Sequence, residues 1–335
     1  KVIPYHAELQ KQNVIEVTTT PYAHPILPLI YNVDLALVGN PSAEMPTNAF
    51  SYPQDAKAHL AKSVEMYKEY FGQDVRGLWP GEGSVAQDIV GIVHEAGYQY
   101  MQTGEPVLAK SLGIDTFTRD ENEKVKQADD LYRPYYVMDE AGNKVAIFFR
   151  DWNLSDKVGF TYSGMSGEDA ASDLINRLES IHDDFLSQGL EGPHIVSVVL
   201  DGENAWEYYD NDGKAFLNAL YKKFSESQKL KTITPSDYLK LFPEQRELEN
   251  LFPGAWFSPN YDTWIGESEE AQAWNYLAQT RSFLADYESG QKSADSNQLA
   301  QAFDFMYLAE GSDWFWWYGT DQDSGQDSYF DQGFR

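Results

Sequence analysis

Two carboxylates stand where an apolar run gives way to a turn. Ser197-Val198-Val199-Leu200 is followed at once by Asp201-Gly202-Glu203-Asn204-Ala205-Trp206-Glu207. Arg76-Gly77-Leu78-Trp79-Pro80-Gly81-Glu82-Gly83 has the same grammar. Short, β-branched apolar runs of this kind read as buried parallel strands. Barrel enzymes keep their chemistry at the C-terminal ends of such strands. Two facing carboxylates suit glycosidic bonds: one attacks the anomeric carbon as an anion, the other donates a proton to the leaving oxygen. The donor must stay protonated, which burial or a nearby negative charge achieves. Asp201 has an apolar strand behind it and Glu203 beside it, so it reads as the acid/base. Glu82 stands on a glycine-flanked turn that a sugar ring can approach closely, so it reads as the nucleophile. A retaining mechanism needs the two carboxyl groups about 5–5.5 Å apart, an inverting one roughly 6.5–9.5 Å.

Composition narrows the alternatives. The 335 residues contain no cysteine and six histidines. That removes thiolate chemistry, disulfides and Cys-ligated metals, and with no HExxH motif a metal hydrolase is disfavoured. Neither a nucleophile elbow nor a phosphate-cradling glycine loop occurs. The formal charge of −28 repels nucleic acid and suits a neutral partner such as a glucan, or an acidic surface adapted to salt. No run approaches the roughly 18 apolar residues of a membrane helix. Aromatics make up 15% of the chain, and several tryptophans sit in polar, glycine-rich context where a stacking role for sugar rings competes with a core role.

Three further stretches could serve the same chemistry. His24 lies among three prolines in a rigid loop just past the β-branched run 14–20. Arg150 precedes Asp151; the pair reads either as a structural ion pair or as an arginine that holds a catalytic carboxylate. Ala309-Glu310-Gly311-Ser312-Asp313-Trp314-Phe315-Trp316-Trp317-Tyr318-Gly319 crowds five aromatics beside acids and glycines, and Trp314 and Trp316 read as substrate-lining. The acids of 321–327 loosely resemble a calcium loop but lack its spacing and terminal Glu. A solvated acidic loop is preferred there, with no cofactor and a structural calcium as the alternative.

The elements that must position these residues alternate. Strands are expected at 14–20, 75–79, 98–102, 194–201 and 230–233, with a paired-strand signal over 131–149. Helices are expected at 55–71, from a Ser84 cap through 96, at 168–188 and at 214–225. After about residue 246 the pattern turns helix-rich, with helices at 268–284 (Ser268 as N-cap) and 298–310. This predicts an α/β barrel domain over 1–245 and a helical subdomain over 246–335 that completes the cleft.

Four ordered regions now become recognisable. Thr19-Thr20-Pro21-Tyr22-Ala23-His24-Pro25-Ile26-Leu27-Pro28, Gly77-Leu78-Trp79-Pro80-Gly81-Glu82, Leu200 to Glu207, and Ser312-Asp313-Trp314-Phe315-Trp316-Trp317 resemble four of the five sequence regions of glycoside hydrolase family 57. Asn260 to Glu267 and Phe149-Arg150-Asp151 resemble its amylopullulanase and α-amylase members. The resemblance implies a (β/α)7 TIM-like barrel with a helical extension, a retaining mechanism on α-glucans, and no metal. It puts the nucleophile at Glu82, the acid/base at Asp201 and a sugar-hydroxyl ligand at Asp313, and it makes His24, Trp79, Glu203 and Trp206 subsite residues. The family's first region has no counterpart. An N-terminal segment carrying the opening strand is therefore expected to be missing upstream of Lys1. The implied function is a hydrolase of α-1,4 bonds in starch-, glycogen- and pullulan-type glucans, with α-1,6 bonds as a further target. A glucanotransferase or branching enzyme on the same scaffold and a non-catalytic glucan-binding protein are the alternatives.

Overall fold

The computed structural model describes residues 1–190, 192–201 and 205–335. Its ladder is a mixed sheet of β1 (Gly77–Leu78), β2 (Tyr100–Gly104), β3 (Tyr135–Met138), β4 (Lys144–Arg150) and β5 (Arg246–Leu248), in the order β1-β2-β4-β3-β5. β1, β2 and β4 run parallel, while β3 and β4 pair antiparallel around the turn at Glu140 to Asn143. Two extended segments widen the parallel part. Thr19 bridges Leu78 on one side, and Ser197 bridges Arg150 on the other, both in parallel sense. Five parallel segments thus follow one another in sequence order, as in a barrel wall, with the β3 hairpin arm turned aside. All of their C-terminal ends point the same way, which brings His24, Glu82, Glu105, Asp151 and Asp201 to one rim.

The strands expected at 14–20 and 194–201 exist as extended chain held by single bridges rather than full ladders. Segment 194–201 is half-buried, not buried, and it makes only one bridge because β3 already occupies the β4 edge as far as Tyr135↔Ile147. What remains is the last turn of β4, where Asp151 N–H donates to Ser197 O. The run 230–233 forms no ladder among the described residues; Leu230 and Ile233 pack as side chains against the core.

The helices follow their local signals. α1 (Pro53–Phe71) starts on a proline, buries Ala56, Leu60 and Tyr67, and stops at left-handed Gly72. The Ser84 cap is not formed. Ser84 is buried with its Oγ unpartnered, and the following helix begins only at Val90, after a 3-10 turn at Gln87–Ile89. α2 (Gly167–Gln188) is capped by Ser166, and its stripe from Ala170 to Phe185 packs on α3 (Lys214–Glu226). The C-terminal part contributes α4 (Ser268–Glu288), α5 (Ser296–Ala309) and α6 (Ser312–Trp316). The cap of α4 is Glu267, not Ser268: the Glu267 and Glu270 side chains form a reciprocal capping box. The sheet runs past residue 245, since β5 pairs with β3. No helix among the described residues is long and apolar enough to cross a membrane.

Candidate active site

The rim of the parallel segments opens into a cavity of about 900 Å³. Glu82 and Asp201 both line it, with Thr18, Thr20, His24, Trp79, Gln102, Asp313 and Trp316. Residues from the parallel segments and from the C-terminal helices therefore face one space.

Glu82 sits in a left-handed backbone conformation, with φ 52° and ψ 32°. For a non-glycine residue this is costly and persists only where the surroundings fix it. The fixing contacts are visible. Gly83 N–H donates to Pro80 O (2.8 Å) and Ser84 N–H to Gly81 O (2.9 Å). Thr103 Oγ1 donates to Gly83 O from β2 (2.6 Å). Trp256 N–H donates to Glu82 O (3.1 Å). Gly81 lies against Pro25 O so closely that a Cβ would collide with it. The turn thus aims the half-buried carboxylate into the cavity.

Trp256 is the residue that sequence reasoning missed. Its indole Nε1–H donates to Glu82 Oε2 at 3.3 Å. One ring face carries the Arg150 guanidinium, 4.0 Å from the centroid. Its edge meets Trp79 at 88° with centroids 5.3 Å apart. A donor to a carboxylate favours the anion, which is the form a nucleophile needs. Phe257, Gln102 and Trp317 also line the cavity. The only signal for Trp256 and Phe257 was the aromatic density of 252–257, far from either acid in sequence.

Arg150 does not line the cavity. Buried behind Trp256, it donates from Nη1 to Val199 O (3.2 Å) and reaches Asp156 at 3.8 Å. Its expected partner Asp151 is taken by Arg119 (3.2 Å), the Tyr132 hydroxyl (2.7 Å) and the N–H of Leu154. Burial pulls the Arg150 pKa below the ordinary arginine range, against the pull of Asp156 and Asp201. Arg150 therefore ties β4 to the segment that ends in Asp201 and backs the indole that touches Glu82.

His24, like Glu82, is left-handed (φ 54°), as is Ala23 before it (φ 58°). His24 Nε2 accepts from Glu82 N–H at 3.4 Å, and Nδ1 meets Ser312 Oγ at 3.2 Å. An accepting Nε2 leaves the proton on Nδ1, which then donates to Ser312. Asp313, exposed in the first turn of α6, faces the cavity with Trp316.

Two tryptophans expected at the substrate are not among the residues that line this cavity. Trp206 packs with Tyr209 and Phe216, at centroid distances of 5.4 and 6.4 Å. Trp314 donates from Nε1 to Leu308 O (2.8 Å) and packs on Phe334. Aromatic neighbours claim both rings, and neither lines the cavity. Glu203 lies outside the described residues. In the acidic loop, Asp323 and Asp327 accept the loop's own N–H groups, and among the described residues no three His, Asp or Glu converge as a metal site would require.

Comparison with known proteins gives consistent relatives. Residues 1–250 match glycosyl hydrolase family 57. No curated protein sequence matches at a significant level. Among solved structures, the branching enzyme of the hyperthermophilic archaeon Pyrococcus horikoshii superposes over 100% of this chain with a TM-score of 0.74 at 18% identity. A branching enzyme from Thermococcus kodakaraensis in complex with glucose gives 0.70 at 16% identity, also over 100% of this chain. An α-amylase from Thermotoga maritima gives 0.66 at 15% over 99% of this chain and 68% of its own. The chain spans 65% and 66% of the length of the two branching enzymes. At these identities the structures share the fold, a distorted α/β barrel with C-terminal helices.

Proposed function

The chain belongs to glycosyl hydrolase family 57, and from that premise we propose that it is a retaining enzyme of α-glucans in which Glu82 is the nucleophile and Asp201 the acid/base. The observation that carries this reading is that two acids 119 positions apart in sequence (82 and 201) line one cavity among tryptophans. In the first step the Glu82 carboxylate attacks the anomeric carbon while Asp201 donates its proton to the glycosidic oxygen. A glycosyl ester on Glu82 forms and the aglycone leaves. Asp201, now an anion, takes a proton from water, which attacks the same carbon and releases Glu82. Trp256 holds Glu82 as the anion and fixes its orientation. Trp79, Trp316 and Trp317 offer faces for glucose rings, and Asp313 an acceptor for a sugar hydroxyl. The chain through β5 acts as the catalytic barrel, and the segment after it closes the cleft with Trp256, Asp313 and Trp316.

A transferase or branching activity is the second reading. The aromatic wall of Trp256, Phe257, Trp316 and Trp317 favours it, because rings that stack an acceptor sugar also exclude water from the glycosyl ester. Product analysis on amylose and pullulan decides. Reducing sugar marks the hydrolase, with maltotriose from pullulan marking α-1,6 cleavage. Longer or branched chains without net reducing ends mark the transferase. Tight maltodextrin binding with no product after long incubation rejects both.

A further inference from the structure

The loop that carries His24 holds two consecutive non-glycine residues in the left-handed region, Ala23 and His24. Such a pair needs a constraint. It comes from His59 of α1, which grips Tyr22 at both ends: Tyr22 N–H donates to His59 O (3.2 Å), and His59 Nδ1–H donates to Tyr22 O. The far nitrogen, Nε2, lies 2.7 Å from Glu310 Oε2, and both side chains are fully buried. Glu310 stands just after α5 and opens the turn into α6. That turn returns to the same loop. Gly311 packs on Ala23 O, and Ser312 N–H donates to His24 O (3.2 Å). The next residue is Asp313.

We propose that His59 and Glu310 form a positioning latch: their buried hydrogen bond locks the left-handed loop of His24 to the turn of Asp313 and so sets both at the cavity, without touching the substrate. The effect on turnover rests on the function proposed above; the latch itself does not. The bond is a neutral one. Nδ1 is committed as a donor, so Nε2 of a neutral ring accepts and Glu310 carries the proton. Burial pushes His59 down to about 4, and burial together with the nearby Asp55 carboxylate pushes Glu310 well up. The charged groups around the pair are Asp55 and Lys62 on α1 and Arg281 and Glu288 on α4, and the neutral phenols of Tyr52, just before α1, and Tyr307 on α5 also face it. Arg281 pairs with Asp55 (2.5 Å) and Glu288 (2.9 Å), and Asp55 also hydrogen-bonds the Glu310 side chain, so the protonated Glu310 stands between the His59 ring and an acid whose charge Arg281 offsets.

The test is made on the full chain with Glu310→Gln, whose amide still donates to Nε2, and Glu310→Met, which does not. Long-range 15N–1H spectra of the histidine rings should show His59 as the neutral Nδ1–H tautomer from pH 5.5 to 8. The His24 ring signals should keep their wild-type shifts in Glu310→Gln and move in Glu310→Met. On maltooligosaccharides, Glu310→Gln should stay within about threefold of wild type, while Glu310→Met loses about tenfold or more in kcat with a smaller change in KM. If Glu310→Met does not fold, Glu310→Asp, which withdraws the carboxyl by one methylene, takes its place with the same expectation. A charged His59 at pH 6, equal damage from Gln and Met, or unmoved His24 signals in the donor-less variant would overturn the latch. A wild type without glucan turnover would sink the function reading alone, since the ring spectra decide the latch by themselves.

Discussion

At the scale of single residues, the atoms that touch Glu82 decide its reactivity. Glu82→Gln keeps the shape of the carboxylate and removes the nucleophile. Turnover should fall by about 10⁴-fold or more while maltodextrin affinity, read by calorimetry, stays within a few-fold. Trp256→Phe leaves a smaller aromatic ring beside Trp79 and Arg150 and removes the N–H that reaches Glu82 Oε2. One hydrogen bond to a charged group contributes about 1.5 kcal/mol or more, so kcat should fall about tenfold. The sign of the pH effect is fixed as well: a carboxylate that loses a donor holds its proton more tightly. The acidic limb of kcat/KM should therefore move to higher pH in Trp256→Phe. A limb that stays in place or moves down would show that the indole does not set the state of Glu82.

At the scale of elements, the turns and caps are where sequence signals and structure part. The strand-turn grammar around Glu82 and Asp201 was legible because a short apolar run ending in Gly, Pro and an acid has few other uses. The left-handed backbone of Glu82 was not, since the conformation is imposed by Thr103, Trp256 and the Pro25 loop, all distant in sequence. Trp256 reaches Glu82 because Gly104, at the end of β2, lets the 252–260 loop press onto its Cα; a Cβ there would meet Trp256 O. Gly104→Ala should therefore destabilise the protein by about 2 kcal/mol, and kcat should fall further than the lost folded fraction explains. At the α4 cap, burial raises the Glu270 pKa to about 8, while the unfolded side chain ionises near its ordinary 4.5. Folding thus holds a proton that the unfolded chain releases, so stability falls as pH rises from about 4.5 to about 8. Glu270→Gln has no proton to lose. Urea unfolding at pH 5, 6.5 and 8 should show a smaller decline for the variant than for wild type; equal slopes would place the titration elsewhere.

At the scale of the whole molecule, alternation of strands and helices announced the α/β architecture, and the ordered motifs announced the family. Composition could not tell Trp206 and Trp314 from cavity residues, because packing against Phe216 or Phe334 is decided only by the folded chain. The same held for Ser84, whose apparent cap was overridden by packing. The net charge of −28 adds a global term: like charges within a screening length repel in the compact state. The screening length shrinks from about 10 Å at 0.1 M salt to about 3 Å at 1 M, so Tm should rise by several degrees over that range, and a flat or falling Tm would deny a repulsive surface. The central claim, that one acid in this cavity bonds covalently to the sugar, is tested most directly by trapping. A 5-fluoro-α-glucosyl fluoride that stalls the second step, followed by peptide mass spectrometry, should find one glycosyl group on Glu82 and none on Asp201. A label on any other carboxylate, or turnover of the reagent with inverted anomeric configuration, would contradict it.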